Sequence, residues 1–181
     1  MAYITVDMLA EFSGKYPEEG SAMPQLYVDA AMETVARYLR YKPEAADRSV
    51  TVYGDGSGSI ALPSPIIEIL AVSVNGNPED LDGWEWKKNY LRQRLPSGGF
   101  RTFTENDAVE IRYRGGFNEV PLKIVTTALQ LASLYQESAG GNLAVSSTSF
   151  ADQGTRVFNN FHEDRFLDQI NEWRVYNTDE S

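Results

Sequence analysis

The stretch AVEIRYRGGFNEVPLKIVTTALQLASLYQES, residues 108–138, changes its period part-way, and that change decides the fold class. Over Ala108–Tyr113, Val109, Ile111 and Tyr113 alternate with Glu110, Arg112 and Arg114, the pattern of a strand with one buried face. Gly115-Gly116 breaks the alternation, and Pro121 suits the first turn of a helix running to about Ser138. Leu122, Val125, Leu129, Ala132 and Gln136 mark one side of that helix; Ile124, Ala128, Leu131 and Tyr135 mark the other. A helix apolar around most of its circumference is central to a core. Ala139-Gly-Gly141 ends it. The stretch thus joins a β region to a core helix.

Upstream, β-branched residues and period-two alternation continue. Ser49–Tyr53 and Ser59–Leu62 read as strands around a Gly54-Asp-Gly-Ser-Gly58 turn, and Ile66–Val74 as a strand closed by Asn75-Gly76. Trp84–Lys87 and Asn89–Gln93 read as short strands. Before this region, Ser21 and Pro24 open a long helix. In it Met23, Leu26, Tyr27, Ala30, Ala31, Thr34, Val35, Tyr38 and Leu39 form a core-facing stripe. Val28, Met32 and Ala36 make a second stripe, either three tolerated exposed apolar residues or a seam against another subunit. Thr5 caps a first short helix, with Asp7 near its positive end.

Downstream, residues 142–155 are rich in Ser, Thr, Ala and Gly without periodicity, as in a flexible connection. A last helix follows over 160–175. Phe158, Phe161, Phe166, Ile170 and Trp173 give it an aromatic stripe, for core packing or for docking on a neighbouring copy. The expected fold is therefore α+β: mainly a helical bundle, with helices 6–12, 23–41 and 121–138, an inserted small antiparallel β region over 49–114, and a C-terminal helix. Residues 1–141 form the domain; 142–181 form the linker and terminal helix.

Composition narrows the chemistry. The 181 residues contain no cysteine and one histidine, His162, which excludes thiolate catalysis, thiolate metal sites and a multi-histidine zinc site. No cofactor is implied, and no catalytic role is expected. No stretch approaches the roughly 18 uncharged apolar residues of a membrane span. Met1-Ala-Tyr-Ile-Thr-Val-Asp7 lacks the basic and apolar regions of a signal peptide, so synthesis and folding in the cytoplasm are expected. The net charge is −10, but it is uneven: residues 1–86 hold 5 basic and 14 acidic residues, residues 87–114 hold 7 and 3, and residues 115–181 hold 4 and 9. An acidic chain is a poor general nucleic-acid binder. The basic middle, with Trp84, Trp86 and Tyr90 interleaved among Lys87, Lys88, Arg92 and Arg94, reads either as alternation along strands or as a polyanion contact.

Other motifs carry less. Gly54–Gly58 lacks the Gly-Lys-Ser/Thr ending of a phosphate loop and the carboxylates of an EF-hand, so a hairpin turn is the expected reading. The acidic clusters Glu18-Glu19, Glu79-Asp80-Asp82 and Glu163-Asp164 read as solvated charge.

The order of features over residues 4–138 resembles the head–tail connector (adaptor) proteins of tailed bacteriophages. The features that carry the resemblance are Ala36-Arg-Tyr-Leu-Arg40, the Gly-rich turn Gly54–Ser59, Ile60-Ala-Leu-Pro-Ser-Pro65 leading into Ile66–Val74, Asn75-Gly76, Tyr113-Arg-Gly-Gly-Phe117, and Val120-Pro121 opening the helix that ends near Leu134-Tyr-Gln-Glu137. The resemblance implies a structural protein of the virion neck. Such a protein forms a ring of about a dozen copies beneath the portal protein. The ring prolongs the channel through which DNA passes without specific binding, and it presents a surface to the tail or to a stopper protein. On this reading the C-terminal helix leaves its own subunit and orders on assembly. The competing expectations are another neck or tail-completion protein, and a carbohydrate- or nucleic-acid-binding module using Trp84–Arg94.

Overall fold

The computed structural model describes residues 2–18, 20–139, 147–150, 154–157 and 163–175. The chain forms two compact units: Met1–Leu39 with Pro121–Arg174, and Arg40–Val120 with Val175–Ser181. The division falls after residues 39 and 120, not at 141.

The first unit is helical. Thr5 caps α1 (Val6–Ser13), its hydroxyl accepting from the Met8 N–H at 3.2 Å, and Gly14 ends it in a left-handed conformation at φ 68°. In α2 (Met23–Leu39), Pro24, Val28, Ala31, Val35 and Leu39 are buried, the three-four spacing of a core stripe. Arg40, at φ 69°, stops the helix short of the expected residue 41. In α3 (Leu122–Ala139), seven residues from Ile124 to Leu134 are buried, so this helix is the spine of the unit. It packs against α2, and the hydroxyls of Thr34 and Tyr135 meet at 3.0 Å.

The C-terminal segment docks on the same helices. The expected continuous helix over 160–175 is instead α4 (Asp164–Leu167) followed by a 3₁₀ helix over Asp168–Trp173. Leu167, Ile170 and Trp173 stand three apart, which aligns them on one side of a three-residue turn. Leu167 and Ile170 are buried. Asn171 accepts from the Tyr38 hydroxyl at 3.1 Å, and Glu172 pairs with Lys123 at 3.1 Å. In the single chain this segment packs within its own helical unit, against α2 and α3. Within the stretch read as a flexible connection, β8 (Ser147–Phe150) and β9 (Gly154–Val157) pair as an antiparallel hairpin.

The second unit is a β domain in its own right. One antiparallel sheet has the order β1-β7-β3-β4, from β1 (Ala46–Tyr53), β7 (Ala108–Gly115), β3 (Ile66–Val74) and β4 (Asn77–Glu79). The β3–β4 turn places Asn75 at φ 52° and Gly76 at φ 78°, the two left-handed central residues of a tight hairpin. A second sheet has the order β2-β6-β5, from β2 (Ile60–Ala61), β6 (Tyr90–Gln93) and β5 (Trp84–Lys87). The two sheets share one core, in which Trp84 stacks on Phe103 with ring centroids 5.7 Å apart. Tyr113 is fully buried, and its hydroxyl meets Ser64 Oγ at 2.9 Å.

Gly116, at φ 104°, follows β7; a Cβ there would run into the backbone carbonyls of Glu44 and Pro43. That close approach lets the Phe117 N–H donate to Pro43 O at 2.8 Å and the Ala45 N–H donate to Phe117 O at 3.1 Å. The strand is thereby clasped to the segment that leads into β1.

The expected mainly helical bundle with a small β insert is therefore corrected. The protein is about 37% helical and 28% strand, and its strands build a unit with a separate core. The α+β content was legible. The size of the β unit was not, because its core gathers Leu62, Leu91 and Phe103 with strand residues far apart in the sequence.

Two predictions follow from this packing. Leu39→Ala, at a fully buried site on α2, should cost about 2–5 kcal/mol of unfolding free energy, whereas Leu26→Ala on the exposed face of the same helix should stay within about 0.5 kcal/mol; denaturant melts compare them directly. Asp107 accepts from the Thr104 N–H at 2.8 Å and hydroxyl at 2.9 Å, and from Asn75 at 3.1 Å. These hydrogen bonds, the Thr104 N–H foremost, hold its carboxyl below the usual range. A lowered folded-state pKa contributes stability that is full above the unfolded value of about 3.9 and is lost as pH falls. Asp107→Asn should therefore melt earlier than the wild type at neutral pH and converge with it in acid, as read by thermal midpoints across pH.

Candidate assembly surfaces

The outward face of α2 runs opposite its buried row. Ala22, Met23, Leu26, Asp29, Ala30 and Glu33 are all exposed, Leu26 at 56%. Leu26, Asp29, Ala30 and Glu33 share one side of the helix, so aliphatic and carboxylate groups alternate along a single stripe. Asp29 accepts from Gln25 at 2.8 Å, which steadies its carboxylate on this face. Near the start of α3, Leu122 is also exposed.

This reverses part of the reading of α2. Val28, an expected seam residue, is 0% exposed and lies in the core, so it offers nothing to a partner. Met32 and Ala36 are half-buried. Met23, Leu26 and Ala30, expected in the core, face outward instead. Of the C-terminal candidates, Ile170 is buried, and Phe166 and Trp173 are half-buried within the helical unit; Lys123 Nζ sits 5.5 Å from the Trp173 ring centre. Phe158 and Phe161, with His162, lie outside the described residues.

The second surface is the β5–β6 hairpin of the β unit. Glu85 pairs with Arg92, Trp86 with Leu91, and Lys87 with Tyr90. Directly paired residues share a face, so Glu85, Lys87, Tyr90 and Arg92 point one way, while Trp84, Trp86, Leu91 and Gln93 point the other. Trp84 is buried against Phe103, whereas Trp86 is 43% and Tyr90 44% exposed. The expected aromatics-in, cations-out alternation thus holds for Trp84 and fails for Tyr90, which stands among the cations.

The cations are not equivalent. Arg94 is bound to Glu85 at 2.7 Å, so much of its charge is met locally. The Arg92 guanidinium lies over Phe100, 5.3 Å from the ring centre. Lys87 and Lys88 are exposed at the turn. Lys88 holds a left-handed backbone at φ 56°, and its carbonyl accepts from the Ile66 N–H at 2.7 Å. Asn89 fastens the turn further: its carbonyl accepts from the Leu62 N–H at 2.7 Å and its side-chain amide donates to Leu62 O at 3.2 Å. The hairpin therefore presents its charges from a fixed scaffold. The sequence singled out the cations; it missed Phe100, whose only local signal is an aromatic residue directly after Gly98-Gly99.

Among the described residues, no group of three or more His, Cys, Asp or Glu side chains is placed to hold a metal ion, and no helix is long and apolar enough to cross a membrane.

No family model matches the chain, and no curated protein matches it. Solved structures do. A chain from the neck of the empty gene transfer agent (GTA) particle, computed with C6 symmetry, matches with a TM-score of 0.63 at 15% identity, over 99% of this chain and 93% of that one. Chains from the virion of the native GTA particle, and from its neck computed with C12 symmetry, each match at 0.56 and 16% identity, over 96% of this chain and 91% of theirs. The fold is shared with chains of a virion neck. The likeness takes in nearly the whole sequence, including the part beyond residue 138 that the sequence resemblance left out.

Within this shared fold, the Lys88 turn is a local departure from the lowest-energy choice, since Asn or Gly holds a left-handed backbone more readily. Lys88→Val should destabilise, because a β-branched side chain fits the left-handed region worse than lysine does, and Lys88→Asn should stay within about 0.5 kcal/mol; thermal unfolding of the two variants separates backbone strain from loss of the charge.

Proposed function

We propose that the chain is a structural protein of a virion neck, a head–tail connector that assembles as a ring. The observation that carries this reading is the match over 99% of the chain to a neck component of a symmetric particle. The ordered motifs over residues 4–138 point to the same role independently. The geometry supports it: a ring subunit needs surfaces left over after its own core is complete, and α2 and the β5–β6 hairpin each present one. The ring lies beneath the portal protein, extends the DNA channel, and offers its far side to a tail or stopper protein. The overall acidity of the chain suits a channel that passes DNA without gripping it. No catalytic step is assigned to any residue, and no cofactor is required. The chain is made in the host cytoplasm and ends in the virion neck.

Electron microscopy of the protein mixed with portal rings from its own particle tests this role. A second ring of density, coaxial with the portal and formed by this chain, is the expected result. Absence of binding across salt and concentration would remove the connector placement and favour a tail-completion protein elsewhere in the neck.

A further inference from the structure

We infer that the β5–β6 hairpin of one copy docks on the outward face of α2 of the next copy around the ring, cations against carboxylates and aromatic rings against aliphatic side chains. This rests on the ring reading and names the surfaces that close it.

The hairpin supplies Lys87, Lys88 and Arg92 as its available cations, with the rings of Tyr90 and Phe100 beside them. Arg94 is left out of the count because Glu85 holds it. The α2 face supplies Asp29 and Glu33 with Met23, Leu26 and Ala30 between and before them. Arg37, one turn past Glu33 on the same side, marks where the acidic stripe ends. Each surface thus combines charge with apolar area, and the signs are opposite.

The asymmetry matters as much as the attraction. Hairpin against hairpin, or α2 against α2, sets like charges together, so two-fold pairing is disfavoured. Pairing of two different surfaces on each copy is head-to-tail, and head-to-tail contacts close into rings when the rotation per step permits. The necks whose chains share this fold were computed with C6 and C12 symmetry. Duplex DNA is the other polyanion the hairpin would attract. The net charge of −10 argues against it, because affinity for phosphate is summed over the whole approaching surface, whereas a protein carboxylate stripe needs only local complementarity.

Two charge-reversed full-length chains test the inference: Lys87→Glu with Lys88→Glu and Arg92→Glu, and Asp29→Lys with Glu33→Lys. Assembly on portal rings is followed by mass measurement and microscopy beside the wild type, with thermal midpoints recorded. Each variant alone should lose assembly by about 100-fold or more in the concentration required. An equimolar mixture should recover it, because every junction in an alternating ring again joins opposite charges, and a mixture of unfolded chains has no such route back. A hairpin variant that assembles like the wild type overturns the inference and leaves the ring reading intact. Loss in both variants without recovery in the mixture also overturns it. A hairpin variant that keeps assembly but loses salt-sensitive binding to duplex DNA reassigns the surface to nucleic acid. A wild-type chain that makes no ring on any template removes the ring reading itself, and this inference with it.

Discussion

Strand β7 is the member on which the β unit depends. It lies between β1 and β3 and hydrogen-bonds to both along its length. Val109, Ile111 and Tyr113 face inward and are fully buried, and the Tyr113 hydroxyl spends its polarity on Ser64. A buried hydroxyl without a partner costs about 1–3 kcal/mol, so the pair fixes the register of β7 against the Leu62–Pro65 segment. A slip by one residue would turn Glu110, Arg112 and Arg114 inward, a large penalty for three charges. Register, core and the clasp at Gly116 are thus settled together by one strand.

Burial inside each unit decides what is left outside. On the outer face of the four-stranded sheet, Asp47, Arg114 and Glu68 form a cross-strand row of alternating charge, and Ser73 donates to Glu110 at 3.2 Å. Opposite charges thus stand side by side across part of that face. The α2 stripe and the hairpin differ in carrying large apolar side chains among their charges. Solvated charge needs no aromatic neighbour; a surface that combines the two is the composition of an interface core with its rim.

Where sequence reading succeeded, a short-range rule was decisive. The alternation of β7, the Asn75-Gly76 turn, the Thr5 cap and the Pro121 start each depend on residues within a few positions. It failed where distant partners choose. Helix α2 carries apolar residues on more than half its circumference, with Leu26 next to Tyr27 and Ala30 next to Ala31, so periodicity admits several orientations. Packing against α3 selects the row through Val28, Ala31, Val35 and Leu39 and leaves Leu26 outside. The cations of the hairpin were visible as residue types, but the loss of Arg94 to Glu85, nine positions away, required the cross-strand geometry. The terminal helix was misjudged because spacing by three fits a 3₁₀ turn as well as an α-helix face.

The division of the chain also sets an order of events at the ribosome. Nearly all of the β unit is one contiguous run, Arg40–Val120, whereas the helical unit is split around it. As synthesis proceeds from the N-terminus, α1 and α2 emerge first, yet their main packing partner α3 is encoded last but for the terminal segment. The strands of the intervening unit are complete before any residue of α3 leaves the exit tunnel. Domains fold as units during translation, so the β unit closes while α2 still waits with Val28, Ala31, Val35 and Leu39 unshielded. The exposed side chains of the finished subunit are then accompanied, for the seconds before α3 arrives, by the core residues of α2, and premature contact between nascent chains has its widest opening in that interval.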